Sequence, residues 1–392
     1  MMKRLEIAGF GPIREAKIDF GDLTVLVGPQ ATGKSLFVQL VKAISDAGAI
    51  RADLKQYGFE WHRGADPVGA YCSLYFGGGL QGLITKQTSI LVDGKALPFS
   101  RVAKPGGNKD ASESVLVVPA QRVLVLQDEW PKPFMAYRVG DPYCMRRFSE
   151  VLRSVMDGFA DSDAAIFPQP KRLMSTLREA IDTSIYAGFE LKLDHEGQRK
   201  RLVLSPGKRA APLPFNAWSA GQREFTPLLF SMYWLMPPTK GSRRGALTHA
   251  IIEEPEMGLH PQAIVSFMLL VLALLHRGYR VTLSTHSPIV LDVIWALSNL
   301  KALKQRAAVS ALRKVFDVEA AGNQINETLE AALGKSCRVY YFDRTPGGVV
   351  VRDISALDPS DEDEAVRGWG GLSGFSGRIA ETVGDALARG TR

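Results

Sequence analysis

LTVLVGPQATGKS, Leu23 to Ser35, decides how the rest of the chain is read. Leu23 to Val27 is a short apolar strand that runs without a break into GPQATGKS, and apolar residues then recur at helical spacing from Leu36 to Ile44. Strand, glycine-rich turn and helix in that order are the setting in which G-x-x-x-x-G-K-[ST] has physical meaning. Gly28 and Gly33 let the backbone through Pro29, Gln30, Ala31 and Thr32 curl so that its amides converge on an oxyanion, and the helix N-terminus adds partial positive charge. Lys34 is placed to reach the β- and γ-phosphates of ATP, and Ser35 to bind the accompanying Mg²⁺.

A second segment supplies the chemistry that a phosphate loop lacks. HAIIEEPEMGLHP, His249 to Pro261, puts Glu253 and Glu254 at the end of a short apolar strand, Ala250 to Ile252. Adjacent carboxylates there can divide two tasks, Glu253 orienting Mg²⁺ and Glu254 polarising the water that attacks the γ-phosphate. An exposed acidic turn would explain the charges but not the buried strand ahead of them. Glu256 and His260 follow in the connecting loop. Further on, the strand Val281 to Ser284 ends in Thr285-His286-Ser287-Pro288, with Pro288 suited to the first turn of the next helix. His286 is thereby presented at the same sheet edge, within reach of the γ-phosphate or its attacking water.

WSAGQRE, Trp218 to Glu224, precedes a helix with Phe225, Leu228, Leu229, Met232 and Leu235 on one face. Ser219 suits the N-cap, and Gly221 leaves the following amides open to an anion. Here the chain resembles the ABC ATPase superfamily, whose L-S-G-G-Q signature is matched by Ser219, Gly221 and Gln222 and departed from at Trp218 and Ala220. The resemblance implies an α/β P-loop NTPase of the ABC type. It also implies that Ser219, Gly221 and Gln222 reach across a head-to-tail dimer to the γ-phosphate held by the other subunit. One copy of each motif then implies a homodimer.

More narrowly, FGPIREAKIDFGDLTVLVGPQATGKS, IIEEPEMGLHP and STHSP look like the ATPases grouped with the overcoming-lysogenization-defect (OLD) proteins and other bacterial defence ATPases, relatives of chromosome-maintenance and break-repair heads. Glu-Glu-Pro-Glu, where transporters usually have Asp-Glu-Pro, favours that branch. The resemblance covers about half the chain, the two ends of the nucleotide domain. The superfamily's glutamine loop, which senses Mg²⁺, is matched best by Gln121 in VVPAQR, Val117 to Arg122, because it follows a strand. The implied activity is ATP hydrolysis that opens and closes a dimer, acting on a separate effector or on nucleic acid, with phage defence as the setting. The competing readings are an OLD-like nuclease subunit, a transporter's nucleotide-binding subunit and a DNA-binding repair factor. Asp361 and Asp363 have the D-x-D spacing of a metal nuclease, but they sit in a hydrophilic run and read as a solvated loop.

The alternation of strands and helices around these motifs predicts a mostly parallel sheet covered by helices, interrupted by a long mixed α+β insertion. The expected division is 1–48 and 214–300 for the two parts of the ATPase domain, 49–213 for the insertion and 301–392 for a tail. Within the insertion Tyr71 to Phe76 reads as a strand, as do Val115 to Val118, Phe189 to Leu193 and Leu202 to Leu204, and Met145 to Met156 reads as helical. In the tail a hairpin is expected between Arg338 to Phe342 and Val349 to Ile354. The 392 residues are 46% hydrophobic, enough for a sizeable core, and a net charge of +7 permits contact with nucleic acid without requiring it. Three scattered cysteines, Cys72, Cys144 and Cys337, fit a reducing cytoplasm. The longest apolar stretch, Ala263 to Leu275, is too short to span a bilayer, and no membrane segment is expected.

Overall fold

The computed structural model describes residues 2–106, 111–159, 164–170, 172–196, 199–207, 211–238 and 243–390. A ten-stranded mixed sheet runs through the molecule. Its strands are β1 (Arg4–Phe10), β2 (Ile13–Asp19), β3 (Leu23–Val27), β4 (Ser89–Val92), β5 (Lys95–Ala96), β6 (Val115–Val118), β7 (His249–Glu253), β8 (Arg280–Ser284), β9 (Cys337–Thr345) and β10 (Gly348–Asp353). In space their order is β5, β4, β1, β2, β10, β9, β3, β8, β7, β6. The five strands from β9 to β6 are mutually parallel, and the hairpins β1–β2, β4–β5 and β9–β10 give the other half its antiparallel character.

The parallel half is apolar along its whole length because it is covered on both faces. All residues of β3, β6 and β7 are buried. Alternation then sorts them: Leu23, Val25, Val27, Leu116, Val118, Ala250 and Ile252 join the core on one face, while Leu26, Val115, Val117 and Ile251 join the core on the other. Helix α1 (Lys34–Ser45) packs Phe37, Val38, Leu40 and Val41 into the second core. The first core is filled by α2 (Tyr143–Asp157), α3 (Ala220–Leu235), α4 (Pro261–His276) and α5 (Pro288–Leu300). A small antiparallel sheet of Glu190–Glu196, Arg199–Ser205 and Leu213–Pro214 adds Leu191, Leu202 and Leu204 to that same core.

The stretch 49–213 contributes β4, β5 and β6 to the central sheet as well as the small sheet and α2. Tyr71 to Phe76, expected as a strand, belongs instead to a helix, Pro67–Tyr75. Asp66 caps it by accepting from the Gly69 amide at 2.9 Å and Pro67 opens its first turn, while Tyr71 and Tyr75 lie one helical turn apart with ring centroids 5.8 Å from each other. Burial of aromatics suits either conformation, and here the capping chemistry selects the helix. The hairpin in the tail forms as expected, and it occupies the middle of the sheet: β9 pairs in parallel with β3, from Cys337 opposite Leu23 to Tyr341 opposite Val27. No helix among the described residues is long and apolar enough to cross a membrane.

Candidate active site

Because β3, β8 and β7 are adjacent and parallel, the loops at their carboxyl ends open on one edge of the sheet, where α/β proteins bind ligands. Ser284 pairs with Leu26 and Glu253 pairs with Ser284, so the phosphate loop, the two carboxylates and His286 emerge side by side. The loop 28–35 is built on left-handed residues at Gly28 (φ 141°), Ala31 (φ 58°) and Gly33 (φ 91°). Two of these need glycine for packing as well as for conformation. A Cβ on Gly28 would lie 2.7 Å from the Phe342 carbonyl of β9, and one on Gly33 would lie 2.9 Å from Pro12. Gly33 precedes α1 with no side chain capping it, which leaves the first amides of that helix facing the loop.

Lys34 is buried, and its Nζ donates to the carbonyls of Gly28 (2.7 Å) and Pro29 (2.9 Å). Burial lowers its pKa against the pull of Glu254, Glu256 and Glu253. Thr32 closes the loop by donating to the Pro29 carbonyl at 2.8 Å. Glu253 is 3% exposed, and burial, helped by the charge on Glu254, pushes its carboxyl up to about 7 in spite of a hydrogen bond from Ser35. A buried carboxylate beside a loop hydroxyl is the oxygen pair that an octahedral, partly hydrated Mg²⁺ takes when it also binds phosphate, so Ser35 and Glu253 fit that ion.

Glu254 differs from its neighbour. It is half-buried, it adopts a left-handed backbone (φ 42°), and its amide donates to the Ser284 carbonyl at 2.9 Å. A non-glycine residue held there costs about 1–2 kcal/mol, a strain that clusters at functional sites. His286 holds the Glu254 carboxyl below its usual range. The closest approach, His286 Nε2 to Glu254 Oε1 at 3.6 Å, is too long for a hydrogen bond, and Nε2 is buried without a hydrogen-bond partner among the described residues. Glu256 accepts from the His286 amide at 2.5 Å and so fixes where the histidine leaves β8. The structure thus joins Lys34, Ser35, Glu253, Glu254 and His286, and it gives Glu256 a definite partner.

The signature residues lie apart from this cluster. Ser219 caps α3 and forms a reciprocal capping box with Gln222, at 3.2 and 3.0 Å. Gln222 also donates to the Ile185 carbonyl at 3.2 Å, and Gly221 packs against Gly258, where a Cβ would be 3.0 Å from the Gly258 carbonyl. Ser219 and Ala220 are exposed. Among the described residues no hydrogen bond joins Ser219–Gln222 to the loop 28–35. Gln121 follows β6, the neighbour of the carboxylate strand, and is exposed, its carbonyl accepting from the Leu124 amide at 3.1 Å.

Two arginines escaped the sequence reading. Arg344 of β9 donates to the Gln30 carbonyl at 2.7 Å and props the phosphate loop from the hairpin side. Arg122, next to Gln121, is fully buried between α3 and the end of β7. The signal for Arg122 was its position: a charged residue in an otherwise apolar run after a buried strand needs a partner. Arg344 carried no such signal, because the pairing of β9 with β3 is long-range. In the acidic tail, Asp363 pairs with Arg352 and caps a short helix by accepting from the Ala365 amide at 2.9 Å, while Asp361 accepts from the Asp363 amide at 2.8 Å. Among the described residues no group of three or more His, Cys, Asp or Glu is arranged to hold a metal ion.

Residues 146–292 match a family model described as an AAA domain, putative AbiEii toxin, of a type IV toxin–antitoxin system. That span contains the signature, the carboxylates and His286, and the match supports an ATP-binding ATPase. No curated protein matches the chain. Solved structures similar to it include an SMC head bound to the C-terminal winged-helix domain of ScpA, at 11% identity over 90% of this chain and 97% of that one, with a TM-score of 0.42. Another is the SMC head domain from Thermotoga maritima, at 12% identity over 90% and 98% of the two chains and a TM-score of 0.35. A third, an SMC head with an extended coiled coil bound to the C-terminal domain of ScpA derived from Pyrococcus furiosus, has 13% identity, coverages of 90% and 96% and a TM-score of 0.35. Likeness at this level adds nothing to what the strand order already shows.

Proposed function

We propose that this chain binds Mg²⁺-ATP on Gly28 to Ser35 and hydrolyses it with Glu254, each site being completed by Ser219, Gly221 and Gln222 of a second copy. One observation carries this reading. A buried loop lysine, a buried carboxylate beside the loop serine, and a second carboxylate facing a histidine converge on one sheet edge. When bound, Mg²⁺ would draw charge off the β- and γ-phosphates, with Ser35 and Glu253 as its protein oxygens and Gln121 approaching it from the loop after β6. Lys34 exchanges its carbonyl partners for phosphate oxygens. Glu254, kept ionised by His286, takes the proton of the attacking water, and His286, 3.6 Å from that carboxylate, is the residue that senses the γ-phosphate.

The cycle acts as a dimeric switch that works on a separate effector in bacterial defence, consistent with the toxin–antitoxin description of the family model. The cluster at Asp361 and Asp363 is spent on Arg352 and on a helix cap, which speaks against a nuclease reading of the tail. Equilibrium nucleotide binding and phosphate release test the chemistry together. Lys34→Ala is expected to weaken ATP binding, whereas Glu254→Gln keeps binding and loses about a hundredfold or more in turnover. Undiminished turnover in Glu254→Gln would remove it from the general-base role.

A further inference from the structure

Arg122 has no exposed surface, and the end of its side chain is committed to the backbones of two separate segments. Its Nε donates to the Glu224 carbonyl near the start of α3 at 2.9 Å and lies 3.5 Å from Glu224 Oε2. Nη1 donates to the carbonyls of Glu253 (3.1 Å) and Glu254 (3.2 Å). Nη2 donates to the carbonyls of Glu254 (3.3 Å) and Pro255 (3.4 Å). Its own backbone belongs to the loop after β6, next to Gln121.

Burying a guanidinium is costly, and a packed apolar side chain commonly serves stability as well or better. What an apolar side chain cannot do is fix three consecutive carbonyls, and the fork geometry of arginine is suited to that. The middle one belongs to Glu254, whose left-handed backbone needs outside support to persist. At the other end, Glu224 lies two residues beyond Gln222, directly after a first turn made stiff by the capping box. A displacement of Ser219–Gln222 therefore moves the Glu224 carbonyl, and with it the guanidinium that holds Glu254.

We propose that Arg122 is a positioning residue that couples the signature helix to the catalytic carboxylate of the same chain, so that a partner docking on Ser219–Gln222 is felt at Glu254. This role rests on the ATPase reading above and adds a route by which the two sites of a dimer communicate. Arg122 acts through Glu253–Pro255 and, among the described residues, makes no hydrogen bond to the phosphate loop, so its loss falls on turnover more than on nucleotide affinity.

The test is a double-mutant cycle on the 392-residue chain between Arg122→Lys and Glu224→Gln, which removes the α3 carboxylate 3.5 Å from Arg122 Nε, with Arg122→Met as a second, volume-matched variant. Equilibrium ATP binding and steady-state turnover are measured on variants whose thermal unfolding is cooperative. Arg122→Lys or Arg122→Met is expected to keep ATP affinity within about twofold and to lower kcat by about tenfold or more, since several charge-assisted bonds to Glu253–Pro255 are lost. Combined with Glu224→Gln, the defect is expected to be no greater than the larger single defect, because both changes interrupt one link. Effects that multiply independently, an unchanged kcat, or parallel losses of affinity and turnover would each overturn the coupling role. A folded wild-type protein with no ATP turnover would instead overturn the ATPase reading, which keeps the two failures distinct.

Discussion

Glu253 and Glu254 are neighbours in sequence with opposite electrostatic fates, and burial is what separates them. Glu253 sits at the covered end of β7 and its carboxyl is pushed up to about 7, while Glu254 turns out of the strand towards His286 and is held low. The raised value has a definite consequence for stability. Below about pH 4.5 the group is protonated whether the chain is folded or not; between there and about pH 7 the unfolded chain gives up the proton and the folded chain keeps it. Nucleotide-free protein should therefore lose stability from this group as pH rises through that window, by at most about 3 kcal/mol. Urea unfolding at pH 5 and pH 8 checks it: Glu253→Gln should gain on the wild type between the two values. Equal differences at both pH values would show that Glu253 is ionised in the folded state throughout. At this scale much was legible, since Lys34, Ser35, Glu253, Glu254 and His286 can be read from local strings that end buried strands. Arg122 and Arg344 were not, because their partners lie 102 or more and 314 residues away in sequence.

The phosphate loop depends on an element that local sequence does not reveal as its neighbour. The hairpin β9–β10 was readable from its turn residues, but nothing in Cys337 to Thr345 announces that it inserts beside β3, because strand pairing of high sequence separation is set by the whole sheet. Its closeness explains a glycine that the phosphate-binding motif alone would attribute to nucleotide. Gly28 (φ 141°) has the Phe342 carbonyl 2.7 Å from where a Cβ would be, so Gly28→Ala must push β9 away as well as adopt a strained backbone. A loss of about 2 kcal/mol or more is expected in chemical unfolding without nucleotide. A change within about 0.5 kcal/mol would mean that the hairpin does not back the loop. The helix Pro67–Tyr75 shows the converse error, in which an aromatic run was read by β-propensity although Asp66 and Pro67 already signal a helix start.

Across the whole molecule, no hydrogen bond among the described residues joins the two halves of the proposed site. The loop 28–35, Glu254 and His286 occupy one edge of the sheet, whereas Ser219 is exposed at the start of α3, where Gln222 and Gly221 meet Ile185 and Gly258 of the same chain. The resemblance, and not any pattern of hydrophobicity, is what assigns them to one site, since both segments are polar and local. It makes assembly the central claim: a working site takes its phosphate loop from one chain and its signature from another. Mixing Lys34→Ala protein with Ser219→Arg protein tests this most directly. Each homodimer lacks one half of both sites, but the heterodimer regains one site with an intact loop and an intact signature. Random exchange makes about half the dimers mixed, so recovery of roughly a quarter of wild-type ATPase activity is predicted, less if the two sites must fire together. Full activity of Ser219→Arg alone, at a concentration where it is monomeric, or no recovery in a mixture whose subunit exchange is shown by differential tags, would contradict the account.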